Sequence, residues 1–419
     1  MKNTNWAENL TYSTDNVHYP TTLEQVQEVV KKCSKIRTLG SRHSFNSIAD
    51  STENQVSLKH LNKVVSLNKV AHTVTIEGGM NYGELAPYLQ ENGYALHNLA
   101  SLPHISVVGA CTTATHGSGV NSNSLASAVA ALEFVNAAGD IICMSKEKDG
   151  EAFKGAVVNL GALGVVTKLT LDLQPSFNIK QLVYRNLPMQ ALKDDFLAIM
   201  SGGYSVSLFT TWKNKNINQV WIKQDEKGKS SGSTPDSYGA LPATQHMHPL
   251  EELSAEHATE QMGVTGLWYE RLPHFKMGFM PSAGKELQSE FFVPVVHAYE
   301  AMMAIEQLHE KVSPYLFVSE IRIIASDDLW MSPFYQRASI AFHFTWKQEW
   351  ESVKNLLPLI EKALAPYKPL PHWGKLFTMA PPVLQGRLPK LNDFKHLVRH
   401  HDPQGKFRNS FLQEKLYDS

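Results

Sequence analysis

One short run combines a tight turn, a set of phosphate-sized donors and a nucleophile: Thr38-Leu39-Gly40-Ser41-Arg42-His43-Ser44-Phe45-Asn46. Gly40 lets the backbone turn sharply or approach a ligand without a Cβ clash. The hydroxyls of Ser41 and Ser44, with successive backbone N–H groups, can cradle phosphate oxygens. His43 sets an imidazole inside that turn, where a neutral ring can act as a nucleophile. A second run, Ala100-Ser101-Leu102-Pro103-His104-Ile105-Ser106-Val107-Val108-Gly109-Ala110, leads into Thr112-Thr113-Ala114-Thr115-His116-Gly117-Ser118-Gly119. Its small residues admit a flat or phosphorylated ligand, and its hydroxyls and N–H groups can bind that ligand's oxygens. Two such clusters so near each other point to a long cofactor. Neither has the spacing of the dinucleotide fingerprint, and neither carries the Gly-Lys-Ser/Thr of a phosphate-binding Walker loop.

Three further runs carry charge or imidazole where apolar residues dominate. In Ser319-Glu320-Ile321-Arg322, strand geometry points Glu320 and Arg322 to one face; in Phe342-His343-Phe344-Thr345-Trp346 it does the same for His343 and Thr345. Charges on a buried face need partners, because unpaired burial is costly. Taken alone, a structural ion pair on a solvated sheet face competes seriously with a site. The third run is Pro371-His372-Trp373-Gly374-Lys375. A lysine held among apolar groups can have a lowered pKa and move protons, whereas a surface lysine after a turn is the blander reading. Asn159-Leu160-Gly161-Ala162-Leu163-Gly164-Val165-Val166-Thr167 is a glycine turn entering an apolar strand, common in cores.

The elements that would position these residues alternate between strand and helix up to about residue 175. Lys35-Ile36-Arg37 reads as a strand edge before the His43 turn. Residues 21–32 read as an amphipathic helix capped by Thr21 or Thr22, 73–77 as a strand, and 82–92 as a helix stopped by Gly93. Strands are expected at 128–136, 141–144 and 165–173, the first two joined by a hairpin at Ala138-Gly139-Asp140. Beyond Pro175 the pattern changes to longer antiparallel strands around 183–184, 204–212, 219–223, 316–325 and 338–345, with helices at 298–312 and 350–364. A mobile Gly/Ser-rich loop is expected at 227–235, and a helix from about Leu376. The change of pattern sets a domain boundary near residue 176.

With 419 residues, 43% hydrophobic and 19% charged, the chain has ample material for such cores. A formal net charge of −1 gives no reason to expect nucleic acid or an anionic membrane as partner. No apolar run approaches the ~20 residues of a membrane helix. Residues 1–9 are polar and lack a signal core. Cys33, Cys111 and Cys143 are unclustered, which argues against disulfides and a cysteine-based metal site. Buried thiols in a cytoplasmic monomer are the expectation.

Together with Asn5-Trp6-Ala7-Glu8-Asn9, these motifs resemble, in order and over about residues 5–412, the bacterial alditol (xylitol) oxidases of the vanillyl-alcohol-oxidase type. Ser-Leu-Pro-His-Ile-Ser and His-Trp-Gly-Lys carry most of the specificity. The resemblance implies an α+β fold in two domains, with FAD held by residues 1–176 and a C-terminal segment 376–419 returning to them, under a substrate domain, residues 177–375, with an antiparallel sheet flanked by helices. It matches His43 to the histidine that bonds the flavin 8α-methyl carbon. It implies cofactor contacts from Thr38, Leu39, Gly40, Ser41, Arg42, His43, Ser44, Ser101, Ser106, Gly109, Thr113, Thr115, His116, Gly117, Val165, Val166 and His372. It further implies polyol contacts from Ser101, Glu320, Arg322, Thr345 and Lys375, with His343 beside the reacting carbon. Lys375, Arg322 and His343 are then the groups placed to promote loss of the hydroxyl proton, with a linear polyol and O2 as the small-molecule partners. Alternatives are an aldonolactone oxidase or dehydrogenase of the same superfamily, and a flavin- or sugar-binding protein without turnover. One departure stands out: Arg42 precedes the histidine where some relatives have a second glycine.

Overall fold

A computed structural model describes residues 3–227, 232–279 and 285–418. Two sheets organise it. The first runs in the order Val64–Asn68, Thr73–Glu77, Val165–Asp172, Val129–Val135, Ile141–Ser145, antiparallel at every pairing. The strand–helix alternation therefore does not produce a parallel sheet. The Ala138-Gly139-Asp140 turn, with Gly139 at φ 83°, reverses the chain directly, as only an antiparallel neighbour allows. A small parallel sheet pairs Val17–His18 and Arg37–Thr38 with Gln55–Val56 and carries the chain into the His43 turn.

The second sheet is larger and also antiparallel. Its path is Leu241–Pro242, Asn178–Pro188, Asn216–Asp225, Ser205–Thr210, Leu316–Ile324, Ser339–Lys347, Glu286–Pro294, Leu370–Pro371. One face buries Leu208, Ile321, Phe342, Phe344 and Phe291 against the helices Ala298–Glu306 and Trp350–Leu364. The other face turns toward the first sheet's domain and carries the polar residues.

Several elements depart from the sequence reading for identifiable reasons. The helix expected at 298–312 ends at Glu306 and resumes at His309–Val312. His309 Nδ1 donates to Glu306 O at 2.9 Å, so a side chain takes a carbonyl the helix would use. The tail helix begins at Leu391, after a short turn Pro381–Gln385, because Ala380 ahead of Pro381-Pro382 is held extended. The helices Lys146–Val157 and Leu192–Met200 and the strand Glu286–Pro294 were not legible from periodicity. Cys33 and Cys111 are buried, but Cys143 is exposed, on the outer face of an edge strand beside half-exposed Ile141. Of the loop expected at 227–235, residues 228–231 lie outside the described part.

The C-terminal segment packs back on the first domain. Buried Arg37 donates to Phe407 O at 2.8 Å, and to the carbonyls of Ile48, Leu160 and Gly161. Its guanidinium thus joins the His43 turn, the Gly161 turn and the tail.

Candidate active site

A cavity of about 790 Å³ runs between the two sheets. One wall is the small-residue cradle: Thr38 to Ser44, Ser101, Ser106, Gly109, Thr113, Thr115, His116 and Val166. The opposite wall is the polar sheet face with Glu290, Glu320, Arg322, His343 and Thr345, completed by His372 and Lys375. Sequence reasoning named nearly all of these, and the fold brings them into one space. Gly117 and Val165 are not in the lining. Val165 is buried in the first sheet opposite Val135, and the space beside Gly117 is filled by the Asn98 side chain.

The cradle is built by close approach. A Cβ on Gly40 would come within 2.8 Å of Ser106 Oγ, and one on Gly109 within 2.5 Å of the same atom. Ser41 Oγ accepts from Ser106 N at 3.0 Å, which locks the two runs together. Arg42 has φ 63°, the left-handed region that favours glycine. Its guanidinium donates to Asn3 Oδ1 at 2.7 Å and Thr4 O at 3.1 Å, tying down the N-terminal segment.

His43 stacks on Trp6 with ring centroids 5.2 Å apart and an interplanar angle of 22°. Burial lowers its pKa to about 4, so the ring is neutral at pH 7. Nδ1 of His43 and Oγ1 of Thr38 are buried without a partner among the described residues. Asn46 then couples the walls: its Nδ2 donates to Trp373 O at 2.9 Å and Lys375 O at 2.7 Å, and Phe45 N donates to Gly374 O at 2.8 Å. The imidazole turn and the lysine segment are held as one piece.

On the sheet face, register lines up three strands. Glu290 pairs with His343, and His343 pairs with Glu320. Glu290 was missed by the sequence reading. It is fully buried and forms the hub: Oε2 accepts from Lys375 Nζ at 2.7 Å, Oε1 from Arg322 Nη2 at 2.8 Å, and His116 Nε2 lies 3.3 Å from Oε1. The signal was present in Leu287-Gln288-Ser289-Glu290-Phe291-Phe292-Val293, where a lone carboxylate interrupts a strand-like run. Burial raises the pKa of Glu290, but its cationic neighbours outweigh that and hold it well below the carboxylate range.

Lys375 also donates to His343 Nδ1 at 2.8 Å. An ammonium has no acceptor, so Nδ1 bears the lone pair and Nε2 the proton, 3.1 Å from Thr345 Oγ1. Burial, then the Lys375 charge, lowers the His343 pKa to about 3. Burial lowers that of Lys375 as well, against the pull of Glu290. Gly374 N donates to His372 Nδ1 at 3.0 Å, leaving Nε2–H of that ring near Thr115 Oγ1 at 3.3 Å. Glu320 Oε1 lies 2.7 Å from His274 Nε2 and 3.5 Å from Arg322 Nε. This arrangement offers acceptors and donors to adjacent hydroxyls, and a lysine of lowered pKa beside them.

Comparison with known proteins agrees with this geometry. Residues 14–145 match the FAD binding domain family, and residues 277–415 match the family described as D-arabinono-1,4-lactone oxidase. An alditol oxidase from Streptomyces sp. is 43% identical over 416 residues, covering 99% of this chain and 98% of that protein. An L-gulono-1,4-lactone dehydrogenase from Mycobacterium tuberculosis is 26% identical over 431 residues, covering 98% of each. The fold is that of cholesterol oxidase from B. sterolicum, with a TM-score of 0.79 at 13% identity over 99% of this chain and 96% of that one. Xylooligosaccharide oxidase from Myceliophthora thermophila superposes with a TM-score of 0.76 at 14% identity over 99% and 93%. With this full-length identity and a cradle shaped for a long phosphorylated cofactor, the chain belongs to the alditol oxidase family of FAD-dependent oxidoreductases.

Proposed function

We propose that the protein oxidises the terminal hydroxyl of linear polyols such as xylitol and sorbitol to the aldose, with O2 reduced to H2O2. The carrying observation is the face-to-face placement of the His43 cradle and the Glu290–Lys375–His343 cluster in one cavity. FAD suits the cradle: Ser41, Ser44, Ser106 and Thr113 offer hydroxyls for its phosphates and sugar. When bound there, its ring system would accept a hydride from the alcohol carbon and pass the electrons to O2. His43, neutral and lining the cavity, is suited to carry the flavin covalently.

The chain's own residues handle the proton and the hydroxyls. Lys375, an ammonium at rest on Glu290 Oε2 at 2.7 Å, has a pKa lowered by burial; the fraction that loses its proton takes the hydroxyl proton and so restores that ion pair. Arg322 lies beside the developing negative charge on oxygen, held by Glu290. His343, fixed by Lys375, presents Nε2–H toward Thr345 and the cavity. Ser101 and Glu320 hold the remaining hydroxyls. A site with this many buried polar groups rejects analogues that cannot pair them.

The test is oxygen uptake by the purified protein with xylitol, sorbitol, glycerol and an aldonolactone. Polyols should turn over and the lactone should not. The 277–415 match favours a lactone-oxidising alternative, and faster turnover of the lactone would establish it in place of the polyol reading. A yellow protein silent toward all four would instead be a binding protein.

A further inference from the structure

Lys223 is buried in the larger sheet at 1% exposure and has no part in the chemistry described so far. Its ammonium donates to three neutral acceptors: Leu272 O at 2.5 Å, Pro273 O at 3.0 Å and His274 Nδ1 at 3.3 Å. Burial lowers its pKa to about 7. A charge is costly in such a place unless something uses it. What it reaches is His274, whose other nitrogen meets Glu320 Oε1 at 2.7 Å. The His274 ring is clamped edge-on by Phe209 and Trp221, with centroids 5.5 and 5.3 Å away, so it has one orientation.

The hydrogen bonds fix the protons. A protonated Lys223 can only donate, so His274 Nδ1 must accept and Nε2 must carry the hydrogen. Nε2–H then donates to Glu320 Oε1. Arg322 Nε faces that same oxygen at 3.5 Å. Oε2 of Glu320 has no protein donor among the described residues, and Glu320 lines the cavity. The chain Lys223–His274–Glu320 therefore consumes one carboxylate oxygen and leaves the other to a ligand hydroxyl.

We propose that Lys223 and His274 are positioning residues of the polyol site: Lys223 donates to His274 Nδ1 and keeps it free of a proton, so that the ring stays neutral, and His274, donating through Nε2–H, orients Glu320 to accept from a hydroxyl distal to the reacting carbon. This rests on the polyol-oxidising reading. It makes the length of the polyol, rather than the reacting end, the thing that the dyad senses.

Two experiments decide it. His274→Leu should raise the KM for xylitol about ten-fold or more, the range for loss of a hydrogen bond to a charged group. The rise for 1,2-propanediol, which has no distal hydroxyl, should be much smaller. His274→Gln, whose amide can donate to Glu320 and accept from Lys223, should recover most of the xylitol KM. In a Glu320→Gln background His274→Leu should add little, since the two act through one contact. Equal losses on both substrates, or full additivity with Glu320→Gln, would overturn the proposal. Independently of turnover, nitrogen-15 NMR of histidine-labelled protein, assigned by the signal lost in His274→Gln, should show Nδ1 unprotonated and Nε2 protonated at pH 7. Lys223→Met should leave Nε2–H on Glu320 but let Nδ1 take a proton, so that the imidazolium signal appears at a higher pH than in the unmodified protein. An Nδ1–H ring or an imidazolium in the unmodified protein would refute the lock. If the protein oxidised no polyol at all, the functional reading would fail, while the NMR result would still decide the tautomer.

Discussion

Glu290→Gln is the sharpest perturbation of the site, because one carboxylate anchors both cations. The two charged contacts are 2.7 Å to Lys375 and 2.8 Å to Arg322, and the Glu290 side chain is 0% exposed. Removing one partner of a buried ion pair costs about 3–5 kcal/mol, mostly because the other charge is left uncompensated. Glutamine keeps the volume and one acceptor, so the low end applies, about 3 kcal/mol. The amide's NH2 must face either Lys375 or Arg322, both of which are donors, so one contact turns repulsive. If the whole term is lost from the transition state, the limiting rate of anaerobic flavin reduction by xylitol falls about 100-fold, at about 1.4 kcal/mol per decade. Without the carboxylate, burial also pushes the Lys375 pKa further down, which removes the ammonium's resting place after proton transfer. The assay is stopped-flow reduction under saturating xylitol, with flavin content and thermal midpoint measured on the same samples. A reduction rate within about three-fold of the unmodified protein, at equal flavin content, would refute the hub role and the magnitude drawn from its geometry.

His43→Ala should retain the fold but release its FAD into the supernatant on acid precipitation, while the unmodified protein stays yellow as a pellet. Lys375→Ala should slow flavin reduction by about 10²–10⁴-fold, the usual worth of a general base, and leave reoxidation of the reduced protein by O2 far less changed. The pH dependence of stability carries a sign. The His343 ring stays neutral down to about 3 against an ordinary 6.5, so between those values the unfolded chain binds a proton that the folded one refuses. Stability then rises with pH across that window, and roughly 2 kcal/mol of the loss between pH 7 and 5 belongs to this imidazole. His343→Asn should flatten the denaturant-midpoint profile by that amount; an unchanged slope would mean His343 is protonated in the fold.

Much of the site was legible because its residues break a local pattern. Glu320 and Arg322 stand two apart in an apolar strand, which signals an obligation to pair, whereas Lys375 alone reads as a surface lysine after a turn and joined the site only through the family resemblance of His372-Trp373-Gly374-Lys375. The cradle was legible for a different reason: Gly40, Gly109 and Ser106 are small because backbone and side chains there touch, at distances a Cβ could not share. The antiparallel order of the first sheet was not legible, since the same strand–helix alternation serves a parallel sheet equally well. The departure at Arg42 was visible in the sequence, but the positive φ of its backbone was not.

The residues that were missed share a cause. Glu290 and His274 acquire their roles only through register and tertiary contact. Glu290 meets His343 because two strands pair at that position, and a slip of one residue would turn it to the helix-covered face. The cost of such a slip, a buried carboxylate among Leu208, Phe342 and Phe344 with Lys375 and Arg322 left unpaired, is what holds the register. The same hub therefore serves the fold and the chemistry. Its carboxylate aligns the strands, and that alignment puts a lysine of lowered pKa, an arginine and a neutral imidazole around one point in the cavity.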